Sequence, residues 1–82
     1  MNTGSKIPIG LSPADMAGKD YKTVIEQLKK NGFTNIKSNV DDAIISGIFR
    51  SGQVKEVTIE GRSDFTDESA YYPDATIIVT YY

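Results

Sequence analysis

Apolar residues recur with helical spacing in one stretch of this chain and with alternating spacing in three others. Tyr21, Val24, Ile25 and Leu28 stand at i, i+3, i+4 and i+7, which predicts an α-helix with one apolar face. Asp20 precedes the stripe and can accept from the free N–H groups of the first turn. Gly32 follows it and can take the left-handed conformation that closes a helix, folding Phe33 back onto Leu28. Lys29 and Lys30 lie where the helix dipole favours positive charge.

Alternation marks the strands. Between residues 34 and 40, Ile36, Ser38 and Val40 share one face, with Asn35, Lys37 and Asn39 on the other. Between residues 53 and 60, Lys55, Val57 and Ile59 oppose Glu56, Thr58 and Glu60, and Gly61 closes the run with a turn. Residues 75–82 are rich in β-branched and aromatic side chains and form the strongest strand signal. Ala75, Ile77, Val79 and Tyr81 are expected to face the helix, leaving Thr76, Thr80 and Tyr82 outward. Ile78 is then either exposed or covered by the N-terminal segment or a partner.

The remaining segments read as connections. Lys6-Ile7-Pro8-Ile9 is apolar, but Pro8 lacks the N–H a sheet interior needs, so an edge strand or strapped extended segment is expected. Ser12-Pro13-Ala14-Asp15 carries a hydroxyl cap, a proline at the first helical position and an acid three residues after the cap, which predicts one helical turn ended by Ala17-Gly18. Asp41-Asp42 can cap a short turn over residues 43–45, and residues 44–49 are too few for periodicity to choose between turn and strand. Residues 1–5 are polar and are expected to be a disordered leader to a single domain over residues 6–82. The resulting fold class is α+β: one main helix packed on a small, mainly antiparallel three-stranded sheet, with a short N-terminal extended segment and helical turn.

Composition narrows the chemistry. Eighty-two residues support one core. The net charge of −2 divides into +3 over residues 1–40 and −5 over residues 41–82, with no basic patch to reward nucleic-acid binding. No run of 18 apolar residues is present, so no membrane segment is expected in the chain. With neither His nor Cys, Ser-His-Asp and Cys-His catalysis and His/Cys zinc sites are excluded. The carboxylate pairs Asp41-Asp42 and Asp67-Glu68 are adjacent in sequence and point apart on extended backbone, which disfavours paired-acid catalysis. Asp64, Asp67, Glu68 and Asp74 are oxygen ligands without the spacing of a calcium loop, so no metal or cofactor is expected. Lys22, Lys29 and Lys30 read as the wet face of the helix, and Phe65 as an apolar plug.

The candidate binding residues are Tyr71, Tyr72 and Arg62, in the long connection over residues 62–74. Two consecutive tyrosines on extended backbone cannot both point inward, so one ring is expected to be exposed. Exposed aromatics combine contact area with a polar tip, suited to sugar or protein recognition.

Ile7-Pro8 with Gly18, then Tyr21, Val24 and Leu28 closing on Gly32-Phe33, resembles the start of a PASTA domain. Gly52-Gln53-Val54 and, after a turn, Asp74-Ala75-Thr76-Ile77-Ile78-Val79 resemble that family's second half. The chain departs from the pattern where Val57-Thr58-Ile59 continues in place of the usual proline. The resemblance implies an extracytoplasmic module of bacterial surface proteins, in some members linked to cell-wall fragments. The expected function is a non-catalytic, monomeric binding or spacer module contacting cell-wall glycan, muropeptide or a protein. The alternative is an intracellular protein-interaction domain using the exposed sheet face or the last strand.

Overall fold

The structure, a computed structural model, describes residues 5–41 and 51–82. The turn expected over residues 43–45 and the ambiguous run over 44–49 lie outside them. The fold mixes α and β. In chain order the elements are β1 (Ile7–Pro8), α1 (Pro13–Met16), α2 (Tyr21–Lys30), β2 (Ile36–Val40), β3 (Val54–Ile59), β4 (Ala70–Tyr71) and β5 (Ile77–Tyr81).

Helix α2 forms for the local reasons its sequence carries. The Asp20 carboxylate accepts from the Lys22 N–H at 2.8 Å. At the other end Gly32 has φ +109, its N–H donates to the Lys29 carbonyl at 3.0 Å, and the Phe33 N–H donates to the Leu28 carbonyl at 3.2 Å. Those two bonds close a Schellman motif and satisfy carbonyls the helix leaves free. Val24 and Leu28 are buried, while Tyr21 and Ile25 pack partly buried against the same core. Each fully buried aliphatic side chain contributes about 1.5–3 kcal/mol. The short helix α1 carries a complete capping box between Ser12 and Asp15, and its last residue, Met16, is fully buried.

The three-stranded sheet runs β2-β5-β3, with β5 parallel to β2 and antiparallel to β3. It is therefore mixed, not mainly antiparallel. β3 runs opposite to β2, and β5 reverses again and inserts between them instead of adding at the outer edge of β3. The most apolar strand thereby gains hydrogen-bonded neighbours on both sides. Ile77 and Val79 are fully buried on its inner face, and Ile78 is half-buried on the outer one.

Two strand assignments shift in detail. A register irregularity between Val54 and Glu56 places one extra residue in β3, so Val54, Val57 and Ile59 are buried and Lys55 is exposed. A bulge changes the phase of alternation, which is why Val54, and not the expected Lys55, shares a face with Val57 and Ile59. Lys55 reaches outward instead and donates to the Asp41 carboxylate, a contact that raises the Lys55 pKa. In β2, Ile36, Ser38 and Val40 share the face of Ile77, Val79 and Tyr81, yet only Ile36 packs on the core. Val40 is 49% exposed.

A second, two-stranded sheet joins β1 to β4, pairing Ile7 with Tyr71 and Pro8 with Ala70. The N-terminal segment continues this strap, as Ile9 and Gly10 donate to the carbonyls of Ser69 (2.8 Å) and Asp67 (3.0 Å). Ile9 is fully buried and Phe65 nearly so. The connection over residues 62–74 is thus a fastened element, not a free loop.

Candidate binding surface

The three sequence-predicted residues do not form one cluster. Tyr71 belongs to β4, where pairing with Ile7 turns its half-buried side chain onto the core. Tyr72 follows on the opposite side of the extended chain, and its side chain is exposed, at 42%. One ring exposed and one packed is the outcome that strand alternation predicts.

The backbone under Tyr72 is held from two directions. The Ala75 N–H donates to the Tyr72 carbonyl at 3.0 Å, closing the turn over residues 72–75. The Thr34 N–H (3.0 Å) and hydroxyl (3.3 Å) both donate to the Pro73 carbonyl. The Asn35 amide adds bonds to the Asp74 carbonyl at 3.3 Å and the Thr76 hydroxyl at 3.1 Å. Thr34 and Asn35 directly follow the closed end of α2, so the turn bearing Tyr72 is tied to the best-ordered local signal in the chain.

The cation at the exposed ring is Lys6. Its Nζ lies 5.3 Å from the Tyr72 ring centroid, within the range of a cation–π contact. Lys6 makes no ion pair among the described residues. Arg62 is engaged elsewhere: its Nε and Nη2 donate to the two Asp64 oxygens at 3.1 and 2.9 Å. That bidentate pairing raises the Arg62 pKa and lowers that of Asp64, with a lesser electrostatic contribution from Tyr71 to the arginine. Both side chains remain largely exposed.

The tight turn at the start of this connection links Ile59 to Arg62 by reciprocal backbone bonds of 2.8 and 3.0 Å. Glu60 (φ 52) and Gly61 (φ 80) both adopt positive φ there, as a two-residue hairpin turn of this hand requires. Gly61 meets that need without strain, whereas Glu60 does not.

Other candidates resolve simply. Asp67 and Glu68 sit in an exposed turn closed by the Ser69 N–H on the Thr66 carbonyl at 3.1 Å. Among the described residues no three acidic groups are placed to hold a metal ion. Lys22, Lys29 and Lys30 are exposed, and Lys22 Nζ lies 5.9 Å from the Tyr21 ring centroid.

Two features escape sequence reasoning. Lys6 carries no signal beyond standing next to Ile7-Pro8, and its partner depends on the β1–β4 pairing. Tyr21 and Tyr81 stack with centroids 3.7 Å apart and planes 3° from parallel. The adjacent Tyr21 side chain, followed by desolvation, pushes the Tyr81 phenol up. Both rings were expected on inward faces, but nothing in their spacing pairs them. No helix among the described residues is long and apolar enough to cross a membrane. Comparison with protein-family models, with curated proteins and with solved structures finds no match to this chain.

Proposed function

We propose that this chain is a non-catalytic binding module of a bacterial surface protein, and that it contacts acidic cell-wall glycan or muropeptide through Tyr72 and Lys6. The observation that supports this reading is an exposed tyrosine ring, on a turn fixed by Thr34, with an ammonium 5.3 Å from its centroid that makes no ion pair among the described residues. A flat aromatic face takes the apolar side of a sugar ring, and an adjacent cation takes a carboxylate carried by the sugar or its peptide. Arg62, already neutralised by Asp64, plays a lesser part. The reading treats α2 as the one main helix laid on the sheet, and the chain as a monomer. The extracytoplasmic location rests on the PASTA resemblance alone.

The test is a titration of muropeptide fragments followed by backbone amide shifts. Saturable shifts at residues 6–8 and 70–75, abolished by Tyr72→Ser, are expected. Shifts elsewhere, or none at millimolar ligand, overturn the proposal.

The second reading, a protein-interaction domain, is favoured by the half-buried Ile78 at the centre of the outer sheet face. It narrows to that face, because β5 is paired on both edges and offers no free ladder to an added strand.

A further inference from the structure

Among the described residues, β2 is an open edge of the three-stranded sheet: β5 pairs with one side of it and no strand lies on the other. Lys37, Ser38, Asn39 and Val40 are all exposed. The bonds to β5 fix which backbone groups are already used. The Ile77 N–H donates to the Asn35 carbonyl at 3.0 Å, and the Asp41 N–H donates to the Tyr81 carbonyl at 2.6 Å. In a parallel ladder a residue turns its N–H and C=O to one side, and the next residue turns both to the other. Lys37 and Asn39 therefore face β5 with Asn35 and Asp41, while Ile36, Ser38 and Val40 present their N–H and C=O to the open edge. Such a row is a template for a further strand.

The row is complementary to itself. A two-fold axis at Ser38 lays β2 antiparallel to β2 of a second copy. Ser38 then stands opposite its own equivalent, Ile36 opposite Val40 of the second copy, and Lys37 opposite Asn39 of the second copy. Every outward-facing residue falls in a hydrogen-bonded pair. Val40, 49% exposed in the single chain, gains an isoleucine as its cross-strand neighbour. Lys37, the one charge on the strand, meets an uncharged amide, whereas like charges directly opposite would destabilise the pair. A centre at Lys37 or Asn39 is excluded, because the backbone there is turned to β5.

We propose that β2 pairs edge to edge with β2 of a second copy of this chain, joining their three-stranded sheets into one. A single strand pair buries less than the roughly 1,200 Å² at which stable complexes begin, so the dissociation constant is roughly millimolar. The dilute chain is a monomer. Neither Tyr72 nor Lys6 takes part, so this pairing and the glycan contact can fail separately.

Sedimentation and amide spectra of the full chain, from tens of micromolar to a few millimolar, test the assignment. A monomer–dimer equilibrium is expected, with shifts and slower solvent exchange at the Ile36, Ser38 and Val40 amides. Exchange at Lys37 and Asn39, already bonded to β5, should not slow. Ser38→Pro removes the N–H at the axis without touching the β5 ladder and should abolish the dimer. Asn39→Asp, an exposed change, sets a carboxylate opposite each Lys37 and should tighten pairing about fivefold at low salt. The proposal is overturned by a chain that stays monomeric at a few millimolar, or by dimer shifts confined to the outer face around Ile78. Unchanged pairing in either variant also overturns it, as does capture of an unrelated extended peptide in preference to a second copy.

Discussion

The helix-on-sheet half and the strapped half of this molecule are held together in different ways. In the first, α2 lays Val24 and Leu28 over a sheet whose central strand contributes Ile77 and Val79, all four buried. In the second, β1 and β4 are two-residue strands, and cohesion comes from backbone hydrogen bonds around the plugs Ile9 and Phe65. Burial is roughly proportional to area and tolerant of small shifts, whereas a short ladder depends on each of its few bonds being in register. The strap accordingly carries the exposed chemistry, Tyr72 and Lys6, and adds Ile9 and Phe65 to the one core that the other half mostly supplies. A rigid scaffold that positions a recognition segment is the usual division of labour between core and loop.

The largest expected effect is in the core half. Leu28→Ala should destabilise the fold by about 2–5 kcal/mol through lost transfer energy and a residual cavity. A loss under about 0.5 kcal/mol in denaturant melts would mean that the two halves do not differ as described.

Next comes the junction. A Cβ at Gly32 would stand 2.7 Å from Ile7 Cδ1, on backbone already at φ +109. Gly32→Val should therefore cost about 1–3 kcal/mol by combining left-handed strain with overpacking. It should also perturb the amides of β1 more than those of β5, because the clash is with the strap. Uniform perturbation of both sheets would break the distinction.

Within the strap, adjacent tyrosines should differ. Tyr71→Ser removes a half-buried ring and should cost about 1–2 kcal/mol, part of the full aromatic truncation penalty. Tyr72→Ser should cost under about 1 kcal/mol, since it loses an exposed cation–π contact and little packing. Equal melting temperatures for the two variants would contradict the division of the pair into anchor and contact.

The smallest effect sharpens the comparison through pH. Hydrogen bonds from the Ser12 backbone and hydroxyl hold the Asp15 carboxyl below its ordinary value near 3.8, and Arg62 does the same for Asp64. A carboxyl with a depressed folded pKa stabilises the fold above its unfolded value, and that contribution is lost as pH falls through the folded one. Stability should therefore decline on acidification below about pH 4, and the Asp15→Asn variant should show a shallower decline than wild type. Identical acid limbs would show that the capping box does not persist in solution.

Much of the first half was legible because its signals are local. The ends of α2, the capping box of α1 and the positive φ of Gly32 each depend on residues a turn or so apart, so a short window contains the whole cause. The split between Tyr71 and Tyr72 was legible for the same reason. Where reading failed, the cause was distant. Lys55 was placed on one face with Val57 and Ile59 because the bulge at Val54 is settled by pairing with β5, far away in sequence. Arg62 was grouped with the tyrosines by proximity along the chain, yet Asp64, closer still, takes its charge.

By itself the sequence determined where α1, α2, β2, β3 and β5 form, which helix face is apolar and that the chain has no His or Cys to do chemistry with, because propensity, capping and periodicity act over single turns and pleats. Only the tertiary structure decided that β5 enters between β2 and β3, that Lys6 comes to Tyr72, and that Tyr21 stacks on Tyr81. Each of those pairs residues far apart in the chain. Such contacts are selected by the burial of the whole core against the entropy of closing long loops, a balance that no local window contains.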